Sequence, residues 1–283
     1  MSDELRTPES FRDKLYTIDR SGQRKWVYPT TVEGNFHKRR SLVAYVLLLI
    51  YLSGPWLKWN GRQLFLLNIV ERKFTLFGVE FWATDSLYLM FSLGALGISL
   101  FLFTALVGRV WCGWACPQTV YLEFLFRPLE RLIEGNASQR RRLDEGPWTF
   151  EKIRKKGLKF FAFLFCSWLI ANTFLAYLYG AEPVLAMMRH SPKNNPGPFG
   201  LSVVVMCAFL FEFAWFREQF CTVLCPYARF QSVMLDGNSL VIGYDVGRGE
   251  PRGKRQKAGE GEKSQGDCVD CGACVRVCPT GID

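Results

Sequence analysis

The stretch Ser86–Val107, which reads SLYLMFSLGALGISLFLFTALV, holds no charged side chain over its whole length. About 20 consecutive apolar residues are enough for a helix to cross a bilayer, because each residue adds about 1.5 Å along the helix axis. The stretch therefore predicts a transmembrane helix, and the rest of the chain is organised around runs like it.

Three further apolar runs of similar length are Ser41–Trp59, Gly157–Tyr179 and Phe199–Phe216. Positive side chains are dense before the first run, in the basic loop 117–156 and after Arg217, and sparse in the two remaining connections. Cytoplasmic loops carry the excess of Lys and Arg in membrane proteins. The alternation predicts an all-α polytopic membrane protein with about four transmembrane helices and both termini in the cytoplasm.

The net charge of +9 has the same explanation. A basic soluble protein would suggest nucleic acid as a partner, but no nucleic-acid motif is found here. We interpret Arg140, Arg141 and Arg142 in the basic loop as a topology determinant and a contact for anionic lipid. The expected partner is therefore the lipid bilayer rather than nucleic acid.

A run of cysteines near the C-terminal end has the spacing C-x2-C-x2-C-x3-C-P and consists of Cys268, Cys271, Cys274 and Cys278. This spacing is typical of a [4Fe–4S] cluster, where the fourth cysteine ligates a different cluster. Zinc is the alternative, although zinc sites usually use two separated cysteine pairs. Because no second run follows before Asp283, we expect the sequence to be a piece of a longer protein.

Two C-x3-C-P motifs form a second constellation. Cys112 and Cys116 follow the second apolar run, and Cys221 and Cys225 follow the fourth, which indicates an internal duplication. Proline suits the first turn of a helix, and a helix N-terminus stabilises thiolate. Four such soft thiolates favour Cu(I) or an iron–sulfur cluster, whereas pairs of inert buried cysteines are the alternative. Glu212, an acid within the fourth run, is a candidate proton relay or simply reaches water near the interface.

These patterns divide the chain into four parts. They are a cytosolic N-terminal segment 1–40, a transmembrane domain 41–243, a flexible linker 244–266 and the start of a ferredoxin-like [4Fe–4S] segment, 267–283. The linker is rich in Gly, Lys, Arg and Glu and has few apolar residues to anchor it.

With these residues assembled, the chain resembles the CcoG/FixG/RdxA family of cytochrome c oxidase accessory proteins. Four blocks carry the resemblance: Gly108–Val120, Leu129–Gly135, Phe216–Gln231 and Tyr244–Gly253. The resemblance implies a multi-pass protein of the bacterial inner membrane with its cluster segment in the cytoplasm. It further implies a cupric reductase that converts Cu(II) to Cu(I) for assembly of cbb-type oxidase.

In such a protein Cys112, Cys116, Cys221 and Cys225 would handle copper or pass it electrons. The resemblance implies two [4Fe–4S] clusters in a full-length chain, a cytosolic electron donor, and oxidase copper-assembly factors as partners. Two alternatives remain: a quinol-linked electron-transfer subunit similar to NapH, and a copper-binding assembly factor without turnover.

Overall fold

The computed structural model describes residue 24 and residues 26–68, 73–82, 86–107, 110–189, 196–234, 243–253 and 266–278. The chain divides into two compact units. One consists of residues 33–239 and is called the helical unit. The other combines residues 1–32 with 240–283 and is called the cysteine-run unit.

The helical unit is built mainly from helices. In order they are α1 Asn35–Ser53, α2 Ser86–Val107, α3 Val110–Trp114, α4 Pro117–Tyr121, α5 Arg127–Glu134, α6 Ala137–Glu145, α7 Phe150–Tyr179, α8 Ala181–Arg189, α9 Pro196–Phe211 and α10 Pro226–Met234. A 3₁₀ turn, Gly54–Trp56, follows α1. π-helical turns follow the first cysteine motif at Leu122–Phe126 and precede the second at Glu212–Phe216, and a further one, Phe220–Leu224, contains Cys221.

Two of the four predicted spans lie in helices long and apolar enough to cross a membrane, Phe150–Tyr179 and Pro196–Phe216. A third candidate exists if Met90–Leu106 and Val110–Glu134, which meet at 98°, form one broken span or a re-entrant loop. Helix α1 holds most of the first predicted run. It is not one of these candidate spans, because residues 38–40 in its first turns are basic. The four-span topology stays a prediction.

The expectation of an all-α chain is wrong in the connection between α1 and α2. Within the described part of this connection lie five short strands: β1 Lys58–Trp59, β2 Arg62–Gln63, β3 Phe65–Asn68, β4 Lys73–Leu76 and β5 Val79–Trp82. They form an antiparallel pair, β1–β2, and an antiparallel sheet in the order β3–β4–β5. Asn60 and Gly61 both have positive φ, as a two-residue hairpin turn of the Asn-Gly type requires.

An aromatic core holds the helices of this unit together. The Phe126 ring stacks on that of Phe213 with centroids 4.5 Å apart and meets Phe163 edge-on at 4.9 Å. All three side chains are almost fully buried. The core thus joins the segment after the first cysteine motif, helix α7, and the segment before the second motif.

A buried ion cluster lies beside this core and is centred on Glu130 of α5. Its carboxylate lies 2.7 Å from Arg140, 2.7 Å from Arg217 and 2.6 Å from Lys159. Glu130, Arg140 and Arg217 are each at most 4% exposed. The interpretation of Arg140 as a lipid contact is therefore wrong, because its side chain neutralises a buried carboxylate instead of facing headgroups.

We predict that Glu130→Gln destabilises the helical unit by about 3–5 kcal/mol, because removing one member of a buried ion cluster leaves buried opposite charge behind. The matched control is Glu145→Gln, which removes an exposed carboxylate paired with Arg141 at 2.8 Å, and such exposed pairs contribute about 0–1 kcal/mol. Urea unfolding in detergent measures both. Equal, small effects in the two variants would contradict the prediction.

Candidate metal centre

The two cysteine motifs have the same local backbone. Cys116 is extended, with φ −60° and ψ 125°, and Pro117 begins α4 directly after it. Cys225 is likewise extended, with φ −67° and ψ 111°, and Pro226 begins α10. The predicted role of each proline as the first residue of a new helix is confirmed. The second cysteine of each pair therefore sits at the entrance to a helix.

The two pairs are close enough in space to interact electrostatically. The pKa of the Cys221 thiol is raised to about 12, first by burial and then by Cys116, Cys225, Cys112 and the Glu212 carboxylate. Negative charge is unfavourable in a half-buried place that already holds other potential anions. The four thiols, all half-buried, therefore share one neighbourhood.

The four thiols lie near one another but do not form a coordination shell in this structure. Among the residues that the structure describes, no group of three or more His, Cys, Asp or Glu side chains is arranged to hold a metal ion. The donor set itself fits Cu(I) or an iron–sulfur cluster, since both take several thiolates. A bound cation would also offset the cost of forming thiolates here, because its positive charge stabilises them and the thiol protons are released on binding.

Residues missed by the sequence analysis tie the motifs together. Gln118, directly after Cys116-Pro117, donates from Nε2 to Glu212 Oε1 at 2.6 Å and to the Arg217 carbonyl at 3.1 Å. Glu212 therefore binds a neighbouring side chain instead of simply pointing to water. The signal in the sequence was a polar residue directly after the first Cys-Pro pair.

The cysteine-run unit orders both ends of the predicted flexible linker. The Asp245 side chain caps helix α11, Val246–Gly249, by accepting from the Arg248 N–H at 3.3 Å. The Arg248 Nε donates to Asp267 at 2.7 Å, and its carbonyl accepts from the Asp267 N–H at 3.0 Å. These bonds fix the chain directly before the first cysteine of the run. The centre of the predicted linker, 254–265, lies outside the described residues.

The cysteine run itself bends sharply. Asp270 and Gly272 have φ values of 51° and 62°, and helix α12, Ala273–Val277, begins after them. The Cys268 carbonyl accepts from the Gly253 N–H at 3.0 Å, and Cys268 and Cys278 are half-buried. Cys271 and Cys274 are exposed. The run offers thiolates at the spacing of a [4Fe–4S] site, although the four side chains do not converge on one point.

The N-terminal segment also contributes to this unit. The Thr30 N–H and hydroxyl both donate to the Arg276 carbonyl, at 2.9 and 3.2 Å. The predicted cytosolic segment 1–40 is thus divided, because residues up to 32 belong with the cysteine run and α1 begins at Asn35.

Comparison with known families places iron–sulfur domains over both constellations. Residues 89–135 match a family described as "4Fe-4S binding domain", which includes Cys112 and Cys116. Residues 216–283 match a family described as "4Fe-4S dicluster domain", which includes Cys221, Cys225 and the whole cysteine run.

The chain is also similar to curated proteins. It is 38% identical to "Nitrogen fixation protein FixG" of Rhizobium meliloti over 92% of this chain and 51% of that protein. It is 39% identical to "Protein RdxA" of Cereibacter sphaeroides, over 91% and 54%. A more distant relative, the "Methylamine utilization ferredoxin-type protein MauN" of Methylobacillus flagellatus, is 22% identical over 61% and 48%. The chain spans about half the length of the curated relatives it matches. No solved structure matches it.

We predict that Gly266→Ala weakens iron retention by the cysteine run. A methyl group on Gly266 would collide with the backbone of Gly249 and Glu250. Overpacking of this kind costs about 1–3 kcal/mol, equivalent to about 5- to 150-fold weaker retention. Gly247→Ala is the control, since its added methyl would have an ordinary 3.5 Å contact. Iron and sulfide are measured after anaerobic reconstitution, and equal contents in both variants would contradict the prediction.

We also predict that Cys221 of the metal-free chain is alkylated at a rate that rises about tenfold per pH unit from pH 7 to 10. Its pKa of about 12 keeps the Cys221 thiol mostly protonated throughout that range, so the fraction of thiolate, the reactive form, grows about tenfold with each pH unit. Iodoacetamide labelling followed by tandem mass spectrometry measures the rate, with the urea-unfolded chain as the control. A plateau in the folded chain near pH 9, as in the unfolded one, would contradict this pKa.

Proposed function

The chain belongs to the FixG/RdxA family of ferredoxin-type iron–sulfur proteins, and on that premise we propose that it transfers electrons within the membrane to reduce Cu(II) to Cu(I). The Cu(I) product would serve the assembly of a cbb-type cytochrome c oxidase in the bacterial inner membrane. The observation that carries the proposal is the contact between the two motifs: Gln118, directly after Cys116-Pro117, bonds to Glu212 and to the carbonyl of Arg217, four residues before Cys221.

In this proposal the cysteine run faces the cytoplasm and binds the electron-transfer group. Cys268, Cys271 and Cys274 would hold a [4Fe–4S] cluster, with the fourth ligand from elsewhere, and such a cluster supplies one electron at a time when bound. The Tyr244–Gly253 block holds Cys268 in place through the Gly253 N–H. Cys278 would ligate a second cluster, as its position before Pro279 suggests.

The substrate site in this proposal is the set of four thiols in the C-x3-C-P motifs. Reduction of Cu(II) to Cu(I) consumes one electron, and the thiols that bind the product release their protons to water. Soft thiolate ligands favour Cu(I) over Cu(II), so product binding assists the reduction. Burial raises the pKa of the Cys221 thiol, so this thiol is neutral in the metal-free chain and loses its proton when a soft cation binds.

The quinol-linked alternative has one observation in its favour. A cavity of about 420 Å³ lies between α7, α8 and the start of α9, and it is lined by Leu175, Tyr179, Val184, Met187 and Leu201 among others. Its apolar walls would suit an isoprenoid tail. However, the segment Pro196–Phe216 separates it from the second cysteine motif, a helical length of about 30 Å. A quinone there would be far from the thiols, which favours copper.

We predict that the reconstituted protein reduces Cu(II) anaerobically, as reported by a Cu(I)-specific chelator, and that Cys112→Ser/Cys116→Ser and Cys268→Ser both abolish turnover. The first variant removes substrate ligands and the second removes a cluster ligand. Cys207→Ser is the control, because this exposed thiol lies within α9 and outside all motifs. It should leave turnover within about twofold, as surface substitutions usually do.

Other outcomes would support the alternatives. Quinone-dependent cluster oxidation without copper reduction would replace the proposal with the quinol-linked function. Tight Cu(I) binding without turnover in a cluster-loaded protein would replace it with a copper-binding assembly factor.

A further inference from the structure

The residue after each Cys-Pro pair bonds to the apolar helix that leads into the other pair. Gln118 follows Pro117 and donates to Glu212, nine residues before Cys221. Tyr227 follows Pro226 and hydrogen-bonds to Thr104, eight residues before Cys112. The two contacts therefore occupy equivalent places in the duplicated sequence, although they use different side chains.

The donor and the acceptor can be assigned in both contacts. The Thr104 hydroxyl already donates to the Leu100 carbonyl at 2.7 Å, so it accepts from Tyr227. The two N–H groups of the Gln118 amide reach Glu212 and the Arg217 carbonyl. In each contact the residue after the Cys-Pro pair is the donor, and the helix leading into the other pair supplies the acceptor.

Burial of these two contacts raises the free-energy cost of breaking them. Thr104 is 0% exposed and Gln118 is 9% exposed. A buried polar group that loses its partner is destabilised, so each bond strongly favours one position of the Cys-Pro segment against the opposite helix. Helix α10 packs against α2, as the Tyr227 contact requires.

We propose that Gln118 and Tyr227 are equivalent positioning residues that hold the two C-x3-C-P motifs around one pseudo-twofold axis, so that their four thiols lie in one neighbourhood and form a single site when a metal binds. Both motifs follow an apolar helix of the same predicted orientation, so the axis lies along the membrane normal, as in parallel repeats. The ligand of the single site rests on the proposed function and is Cu(I). The positioning itself does not depend on which metal binds.

The arrangement explains why two different contacts serve one purpose. Each pair of cysteines alone provides two thiols, and only both pairs together provide four. Cross-contacts fix each pair relative to the other, whereas contacts within one motif would leave the distance between the pairs free. Ligands of a metal site must be held to within about 0.5 Å, which requires this kind of support.

The test measures the position of the thiols without relying on activity. In a metal-free chain in which Cys116 and Cys221 are the only cysteines, the other eight being replaced by Ser, diamide is expected to oxidise this pair to a disulfide. Proteolysis in the basic loop 117–156 then separates the halves unless the disulfide joins them. Tyr227→Phe should slow this cross-link about threefold to tenfold, the effect of one hydrogen bond, and Gln118→Met, which removes two, should slow it at least as much.

A mutant cycle and a matched control complete the design. Thr104→Val should reproduce the effect of Tyr227→Phe, and the double variant should add nothing, because the two residues form one contact. Ser202→Ala is the control, since it removes a buried 3.2 Å bond between Ser202 and Asn172, at the other end of α9. It should leave the cross-linking rate unchanged.

Two results would overturn the inference. One is an unchanged cross-linking rate in Tyr227→Phe and Gln118→Met, where the Phe and Met side chains keep the volume of the originals. The other is additive loss in the Thr104→Val/Tyr227→Phe pair. Cu(I) competition with a chelator is run separately on the chain with all its cysteines. A chain that binds no Cu(I) but whose cross-linking follows the predicted pattern would refute the copper function and leave the positioning role standing.

Discussion

The ion pair between Glu130 and Arg217, 2.7 Å apart and almost fully buried, is the constraint on which the helical unit depends. Arg217 has φ 52° and ψ −123°, a conformation that costs a non-glycine residue about 1–3 kcal/mol. Its Nε also donates to the Phe213 carbonyl at 3.2 Å. These contacts hold the Arg217 guanidinium in place and offset the cost of the strained backbone. At this residue the chain turns from α9 towards Cys221.

The same carboxylate connects parts of the chain that are far apart in sequence. Glu130 lies on the helix that follows the first cysteine motif, Arg217 precedes the second, and Lys159 comes from α7. Arg127, one turn before Glu130, lies 3.6 Å from Glu218 and extends the connection. Buried charges are tolerated only when each has partners of opposite charge, so the loss of one member destabilises the whole cluster. That property suits a structure that has to fix two motifs relative to each other.

The sequence predicted those features that follow from local pattern. Apolar runs anticipated α2, α7 and the Pro196–Phe216 helix, and proline after each cysteine pair anticipated the start of α4 and α10. It missed features that depend on partners distant in the chain. Arg140 looks like any loop arginine until Glu130 is beside it. The strands were missed because each is only two to four residues long, too short to show a clear alternating pattern, although Asn60-Gly61 is a strong hairpin signal.

The segment Tyr244–Gly253 was misjudged for a related reason. It has few apolar residues, so by composition it resembles a linker. Its order comes from polar bonds, such as those between Arg248 and Asp267, and from the close approach of Gly249 to the Tyr244 ring, where an added methyl group would collide. Polar order of this kind has no hydrophobic periodicity, so a pattern of apolar residues does not reveal it.

Duplication supplies two pairs of thiols but does not by itself place them together. The contacts that do so cross between the halves: Gln118 to Glu212, Tyr227 to Thr104 and Glu130 to Arg217. Burial first, and then the neighbouring thiols and the Glu212 carboxylate, raise the pKa of Cys221, so its thiol is neutral near pH 7 and its own charge does not draw the two pairs together. The cross-contacts must therefore supply the positioning in advance, and a soft cation then binds to thiols that are already neighbours.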